Sequence, residues 1–600
     1  MCGIIAGFTS LPILPKLVDG LKKLSYRGYD SWAVSYFKNN EIITYKELGN
    51  NISLSPLANS NDIFCGFGHT RWATNGSATL KNTHPIYSKY INNECYVIHN
   101  GIIENAQEIF DSHCKPYTET DTEAISILLS MNLVLCNTFE GALIETCKKL
   151  KGQYAFAAIT PQYSNRIGFA CNGSPIVFSS NGFLCSDINS ISDYLHNDKY
   201  FVVPDKSVGV FNQPDSEPEL RDFKYKIVNA EEKFLVKTLC SKNEHSTHML
   251  NEINQQIQFV KDYEPNKEIK TLDYHDKPNE IKLFGCGSSY NAALLGAKYL
   301  KAIPFIKSSV EYATELAEEG QLYENNDEVW YIGLTQSGET KDTLSAFEKV
   351  RAISGFSNIT FAVHNNPNSR AGRLLVSQID ISCGPEFGVA ATKTFTAQCL
   401  RLLELSYRLF YGKDYCKIFK WNISKLDLVF EKIINGDLRK RVDDISDYID
   451  DFHNILYLGR GLLYPIAKEG SLKMKEVCYR HAEAIHVSEI KHGPLALLDE
   501  NTLPIVMLSG PDALLSAKIA GNINEILARS KEIVVICDDK TKEMVPREIR
   551  EDRVLCLPFL DLYLQPLIFN IALQLFSYNI AVANGINPDF PRNIAKCISV

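Results

Sequence analysis

GCGSSYNAALLG, residues 285–296, returns further along the chain as GRGLLYPIAKEG, residues 459–470, so that both fit GxGxxYxxAxxG. The same offset, without a gap, sets TEL at 314–316 against SEI at 488–490. Two copies of one domain are the simplest account of such self-similarity. Each glycine turn follows a short apolar run, IKLF in the first copy and ILYLG in the second, and leads into a stretch of helical periodicity. Strand, glycine turn and helix are the local unit of an α/β doubly wound sheet. The third glycine of a dinucleotide fingerprint is replaced by Tyr290 or Tyr464. The turns therefore read as seats for a single phosphate at a helix N-terminus rather than for a dinucleotide.

A second turn in the first copy supports that reading. After the apolar run VWYIGL comes TQSGETKDT, residues 335–343, where Thr335, Gln336, Ser337 and Thr340 offer neutral donors to a dianion. Ordinary helix capping is the competing account of either loop alone. Where the first copy has Ser288 and Ser289, the second has Leu462 and Leu463, which cannot donate to phosphate. One sugar-phosphate site is expected, with the second copy supplying chemistry. Its helix carries Glu469, Lys473 and Glu476 at i, i+4 and i+7, which places all three on one face. That face is either solvated and salt-bridged or catalytic. His492 precedes Gly493 and Pro494 in an expected turn, and His481 and His486 lack the spacing of a helical zinc pair.

Six hundred residues exceed one core, and 45% hydrophobic with 22% charged residues fits a globular protein of three or four domains. A formal charge of −9 without a lysine or arginine run argues against nucleic acid and anionic membrane as partners. The 17 cysteines form no CxxC pair and no signal peptide precedes them, so reduced thiols in the cytoplasm are expected, with no metal site. The apolar stretch from Leu557 is broken by Asp561, Gln565, Asn570, Gln574 and Asn579, which suits a buried helix better than a membrane span. Cys2 stands where removal of Met1 would give it both a thiol and a free α-amine. Such an amine, with pKa near ~8, is far more available as a base than a lysine ammonium. Nucleophile and base could share one residue; a small apolar residue at a strand start is the alternative.

MCGI at the start, YRGYDS (26–31), GHTRWATNG (68–76), HNGIIEN (99–105) and ETDTE (119–123) together resemble the glutamine amidotransferase domain of the N-terminal-nucleophile class. GCGSSY, TQSGET, EFGVAATKTFT (386–396), KHGPLAL and the PRNIAKCISV tail resemble paired sugar isomerase (SIS) domains. In this order, over essentially the whole chain, they resemble the isomerising glutamine–fructose-6-phosphate aminotransferase family. The resemblance implies an α+β N-terminal-nucleophile (αββα) domain followed by two α/β doubly wound sugar isomerase domains. It implies an amidotransferase that makes glucosamine 6-phosphate and glutamate from fructose 6-phosphate and L-glutamine, without a cofactor, for hexosamine synthesis.

Residue by residue, the resemblance implies that Cys2 attacks the glutamine amide while Asn100 and the Gly101 amide stabilise the oxyanion. Arg71 would grip the α-carboxylate and Asp121 the α-ammonium. Trp72 and Thr74 lie in the loop that closes over glutamine, with Trp72 gating an ammonia channel. Ser288, Ser289, Thr335, Gln336, Ser337, Thr340, the Val389 backbone and Ala595 would bind the sugar phosphate. His492, from the neighbouring subunit of a homodimer, would open the ring. Lys596 would form an imine at C2, which requires a neutral amine. Glu476 would move the proton between C1 and C2, assisted by Lys473 and Glu469. The chain departs from the family pattern at Asn75, Trp32 and Ile257. Expected domains are 2–214 (glutaminase), a charged linker at 215–242, and sugar domains at 243–429 and 430–600. A sugar-phosphate deaminase or deglycase, or an inactive sugar-phosphate sensor, is the alternative.

Overall fold

The computed structural model describes residues 2–55, 62–234, 247–265, 278–318, 329–354, 360–366, 369–375, 377–510 and 513–596. The chain forms two compact units, Met1–Thr238 with Ala595–Val600, and Leu239–Ile594.

In the N-terminal unit an eight-stranded and a seven-stranded sheet lie face to face. Alternation along single strands builds the layers, since successive side chains of a strand point to opposite faces. In Gly3–Phe8, Ile4 and Ala6 enter the core between the sheets, while Ile5 enters the core beneath helix Leu14–Leu24. That helix buries Leu14, Leu17, Val18, Leu21 and Leu24 on one stripe. In Asn93–Ile103, Cys95 and Val97 face helices Thr122–Leu135 and Phe139–Cys147, while Ile98 faces the other sheet. The order is helix, sheet, sheet, helix. Trp32 is almost wholly buried beneath helix Leu14–Leu24, its ring 5.4 Å from that of Tyr45, so this departure fills core.

Much of the segment expected to be linker is strand. Leu220–Asp222 and Ile227–Val228 extend the seven-stranded sheet, and Glu231–Phe234 edges the eight-stranded one. Its charges sit on exposed strands at the sheet margins, where charge discourages pairing with other chains and erases the apolar alternation that marks a strand. Residues 235–242 of that segment lie outside the described residues.

The second unit holds two five-stranded parallel sheets of identical topology. In the first, Glu280–Gly285 pairs with Lys307–Tyr312 on one side and with Val329–Leu334 on the other, followed by Thr360–His364 and Ser377–Asp380. In the second, Asn454–Gly459 takes the same place between His481–His486 and Thr502–Leu508. The repeat read from the glycine turns is thus a repeated sheet. In such sheets ligands bind outside the C-terminal strand ends where the winding reverses. GCGSS and TQSGET both leave the first sheet at that point.

One hydrophobic core runs through both repeats, joining Leu283 and Phe284 to Tyr457 and Met474. The division expected at 430 falls inside helix Leu426–Ile434. Helix Gln565–Ala583 is long and apolar enough to cross a membrane, yet 83% of it is buried inside the fold. Of its polar interruptions Gln574 and Asn579 are bonded, whereas the side-chain amide of Asn570 is buried without a hydrogen-bond partner among the described residues. Gln574 accepts from Gln256 at 2.8 Å and donates to the Thr392 carbonyl, and Asn579 donates to Asp443 and Ser446. THMLNEINQQI forms most of helix His248–Lys261, which the Asp589 carboxylate caps through the His248 and Met249 amides at 2.7 and 2.8 Å; Ile257 packs on the shared core.

Candidate active sites

Cys2 sits at the start of Gly3–Phe8, which pairs with Cys65–Arg71 so that Gly3 lies opposite Thr70. Its sulfur lies 3.4 Å from the amide of Trp72, which donates to it, and 3.5 Å from the Trp72 carbonyl. Burial pushes the thiol pKa up, opposed by the Trp72 amide and the positive charge of Arg71. The backbone at 71–72 is held close to Gly28, where a Cβ would stand 2.6 Å from the Arg71 carbonyl carbon. Asp30 accepts the Ala73 amide at 2.8 Å, and the Tyr29 and Trp72 rings meet edge-on at 5.1 Å.

Arg71 is buried, and its guanidinium turns back on its own loop. It donates to the carbonyls of Asn75 at 2.7 Å, Gly76 at 3.2 Å and Ser77 at 3.3 Å. These are neutral acceptors, which a carboxylate outcompetes through a charge-assisted pair. Asn75 thus contributes its backbone to this loop. Glu119 ties the loop down by accepting from the Ser77 amide and hydroxyl at 3.0 and 2.9 Å and from Asn82 at 2.8 Å. Trp72 is half-buried and Thr74 exposed. Asp121 accepts the Ile103 amide at 2.7 Å where helix Thr122–Leu135 begins.

Asn100 and Gly101 lie in Asn93–Ile103, on the facing sheet. Gly101 has φ +128°, and a Cβ there would stand 2.1 Å from the Gln153 carbonyl oxygen, so only glycine fits. Asn100 Oδ1 lies 3.2 Å from Nε2 of the buried His69, a neighbour the sequence did not single out.

In the second unit the two repeats meet at Glu469. Its carboxylate accepts from the Ser288 hydroxyl at 2.8 Å and from the Asn291 amide at 2.9 Å, both on the helix after the first glycine turn, and stands 3.3 Å from Lys473. Lys473 also donates to Ser288 at 3.1 Å and pairs with Glu476. Burial alone would lower the Lys473 pKa, but Glu469 and Glu476 hold it above the ordinary ammonium range. The face read as either solvated or catalytic is buried at Glu469 and Lys473 and 21% exposed at Glu476. Ser288 is therefore committed to Glu469. Ser289 accepts from Gln398 at 3.1 Å. Thr335 receives the Gly338 amide at 3.1 Å and lies 3.2 Å from Thr340, while Ser337 receives the Glu339 amide. The Asn365 amide donates to the Gln336 carbonyl, and the Val389 amide donates to the Asp589 carbonyl at 3.4 Å.

The second repeat fills its equivalent turn with its own carboxylate. Asp538 accepts from Ser509 at 2.6 Å, the Gly510 amide at 3.0 Å and Thr541 at 2.9 Å. An anion there would have to displace a bonded carboxylate, which agrees with one phosphate seat per chain. His492 is exposed at the end of the turn Val487–His492. Ala595 and Lys596 are half-buried and group with the N-terminal unit, and residues 597–600 lie outside the described residues. Among the described residues no group of histidine, cysteine or carboxylate side chains is placed to hold a metal ion.

Fold and sites together define a class II glutamine amidotransferase joined to paired SIS domains. Residues 21–155 match the class-II glutamine amidotransferase family, and residues 275–405 and 448–584 match the SIS domain family. The chain is 34% identical to the isomerizing glutamine–fructose-6-phosphate aminotransferase of Aquifex aeolicus and 33% identical to that of Francisella tularensis, over 100% of both chains in each case. Among solved structures, the C-terminal domain of glucosamine-fructose-6-phosphate aminotransferase from Francisella tularensis superposes with a TM-score of 0.52 at 31% identity. The match covers 59% of this chain and 100% of that one. The chain belongs to the isomerizing glutamine–fructose-6-phosphate aminotransferase family.

Proposed function

We propose that this chain transfers the amide nitrogen of L-glutamine to fructose 6-phosphate and isomerises the product, yielding glucosamine 6-phosphate and L-glutamate. The observation that carries the sugar half is Glu469, which bonds the first repeat's helix through Ser288 and Asn291 while flanking Lys473 beside Glu476. A carboxylate pair with a buried ammonium at the phosphate-type turn is suited to moving a proton between adjacent carbons.

In this reading Cys2 takes the acyl group, Asn100 and the Gly101 amide hold the oxyanion, and Arg71 and Asp121 grip the amino-acid end of glutamine. Trp72 and Thr74 belong to the closing loop and the passage for ammonia. Ser289, Gln336, Ser337 and Thr340 hold the phosphate, with Thr335, Val389 and Ala595 beside them. Ser288 acts chiefly by orienting Glu469. Lys596 forms the imine with C2, and Glu476 is the proton carrier. His492 is exposed in the single chain, which suits service to the site of a second copy and hence a homodimer. The domain limits near 214, 242 and 430 and the cytoplasmic setting belong to the same reading.

The test measures glucosamine 6-phosphate and glutamate with fructose 6-phosphate plus either glutamine or ammonium. Synthesis from both nitrogen sources is expected. An enzyme that only runs the reverse deamination, or a protein that binds the sugar without turnover, would overturn the proposal.

A further inference from the structure

Behind Asn100 lies a set of hydrogen bonds built from His69, His84, His99 and Thr122, all buried and none needed to touch glutamine, in which His99 Nε2 is left without a partner among the described residues. The protons on His69 and His84 can be placed by elimination. His69 Nε2 faces the His99 carbonyl at 3.1 Å and Asn100 Oδ1 at 3.2 Å. A carbonyl only accepts, so His69 Nε2 carries the proton, and the Asn100 atom turned to it must be oxygen. The His99 amide donates to His84 Nδ1 at 3.3 Å, so His84 Nδ1 is bare and its Nε2 donates to Thr122 Oγ1 at 3.0 Å. Thr122 Oγ1 also lies 2.9 Å from His99 Nδ1, a bond in which either atom can be the donor. The His69 and His84 rings lie 4.4 Å apart, with Nε2 of the first 3.3 Å from the bare Nδ1 of the second.

Residue 99 is thus gripped at its amide by His84, at its carbonyl by His69 and at its ring by Thr122. We propose that His69 is the positioning residue of the oxyanion site: its Nε2–H pins the Asn100 oxygen and so leaves the amide's Nδ2 donor as the end offered to the substrate. His69 lies on the sheet of Cys2 and Asn100 on the facing one. The bond therefore also fixes the spacing between the nucleophile's sheet and the oxyanion donor. Burial keeps the three imidazoles neutral, with His69 pushed down to about 3 and His84 and His99 also below their usual value. The donor pattern is then the same at any pH at which the enzyme works. The inference rests on Asn100 as oxyanion donor, so Asn100→Ala is measured beside it.

The variants are His69→Met, which removes the donor at similar volume, and His69→Gln, which keeps one. Each is assayed for glutamine hydrolysis and for inhibition by glutamate γ-semialdehyde, which forms a tetrahedral adduct on Cys2. For His69→Met, kcat is expected to fall about tenfold to a hundredfold, less than for outright loss of an oxyanion donor. KM should stay within about twofold and the semialdehyde Ki should rise in parallel with the loss of kcat. His69→Gln should recover most of the activity. The ratio of Ki to KM does not depend on how much of the sample is active, so it decides the matter even if His69→Met folds poorly. An unchanged ratio in His69→Met, or equal losses in the Gln and Met variants, overturns the role of His69. Full activity in Asn100→Ala overturns instead the oxyanion reading beneath it.

Discussion

At the residue scale the two chemistries separate cleanly. Among the described residues Cys2 hydrogen-bonds only to the Trp72 backbone, and no sugar-unit residue is needed to explain its setting. Cys2→Ala is therefore expected to lower glutamine hydrolysis by at least about a thousandfold. Synthesis driven by ammonium should stay within about twofold of the unsubstituted enzyme, measured as glucosamine 6-phosphate formed. Glu469 makes the opposite case. Its removal leaves Lys473 buried with Glu476 as its remaining carboxylate partner among the described residues and strips Ser288 and Asn291 of their acceptor. Breaking a buried pair from one side typically costs about 3–5 kcal/mol. Glu469→Ala should melt well below the parent in calorimetry, and Glu469→Gln, which keeps an oxygen for Ser288, should lose less. Equal melting of all three would mean the carboxylate contributes nothing to holding the repeats together.

At the scale of elements, a strand interrupted by one glycine sets the oxyanion site. The backbone at Gly101 is left-handed, and a side chain would drive into the Gln153 carbonyl on the paired strand. Backbone strain of this kind costs about 1–3 kcal/mol. Gly101→Ala is therefore expected to cut glutamine turnover by about a hundredfold, through displacement of the neighbouring Asn100, and to lower the unfolding temperature of the N-terminal unit. A variant with unaltered kcat would show that the strand's kink is dispensable. Legibility in the sequence follows the same logic of range. The sheet repeat could be read because strand, glycine turn and helix are contiguous, and the Gln565–Ala583 helix because its polar residues fall inside an apolar run. The strands inside 215–242 were not legible because edge strands carry charge. The αββα stack came from resemblance, since each strand serves two cores at once. The Glu469 bridge and the cluster around His69 join residues far apart in sequence, and no local pattern announces such pairs.

For the whole molecule, the placement of buried histidines predicts where acid acts first. His69, His84 and His99 lie in the N-terminal unit and are held neutral by burial, whereas among the described residues of the first sugar repeat His364 is the one fully buried histidine with a lowered pKa. Each folded pKa lies below the unfolded value near ~6.5, so at intermediate pH the unfolded chain binds more protons. The stabilisation is complete above about 6.5 and is lost as pH falls towards the folded value, which for His69 is about 3. His69 removes about 1.4 kcal/mol per pH unit in that window, and His84 and His99 act in the same direction. Hydrogen exchange between pH 7 and pH 5, corrected for the intrinsic rate, reads this out strand by strand. Protection should fall more in Cys65–Arg71 and Asn93–Ile103 than in Glu280–Gly285 and Asn454–Gly459. A uniform fall across both units would mean that the three imidazoles do not govern acid stability. Protection that holds to pH 5 in the N-terminal strands would mean that these rings are already protonated in the folded chain, and the proton placement argued for His69 would fall with it.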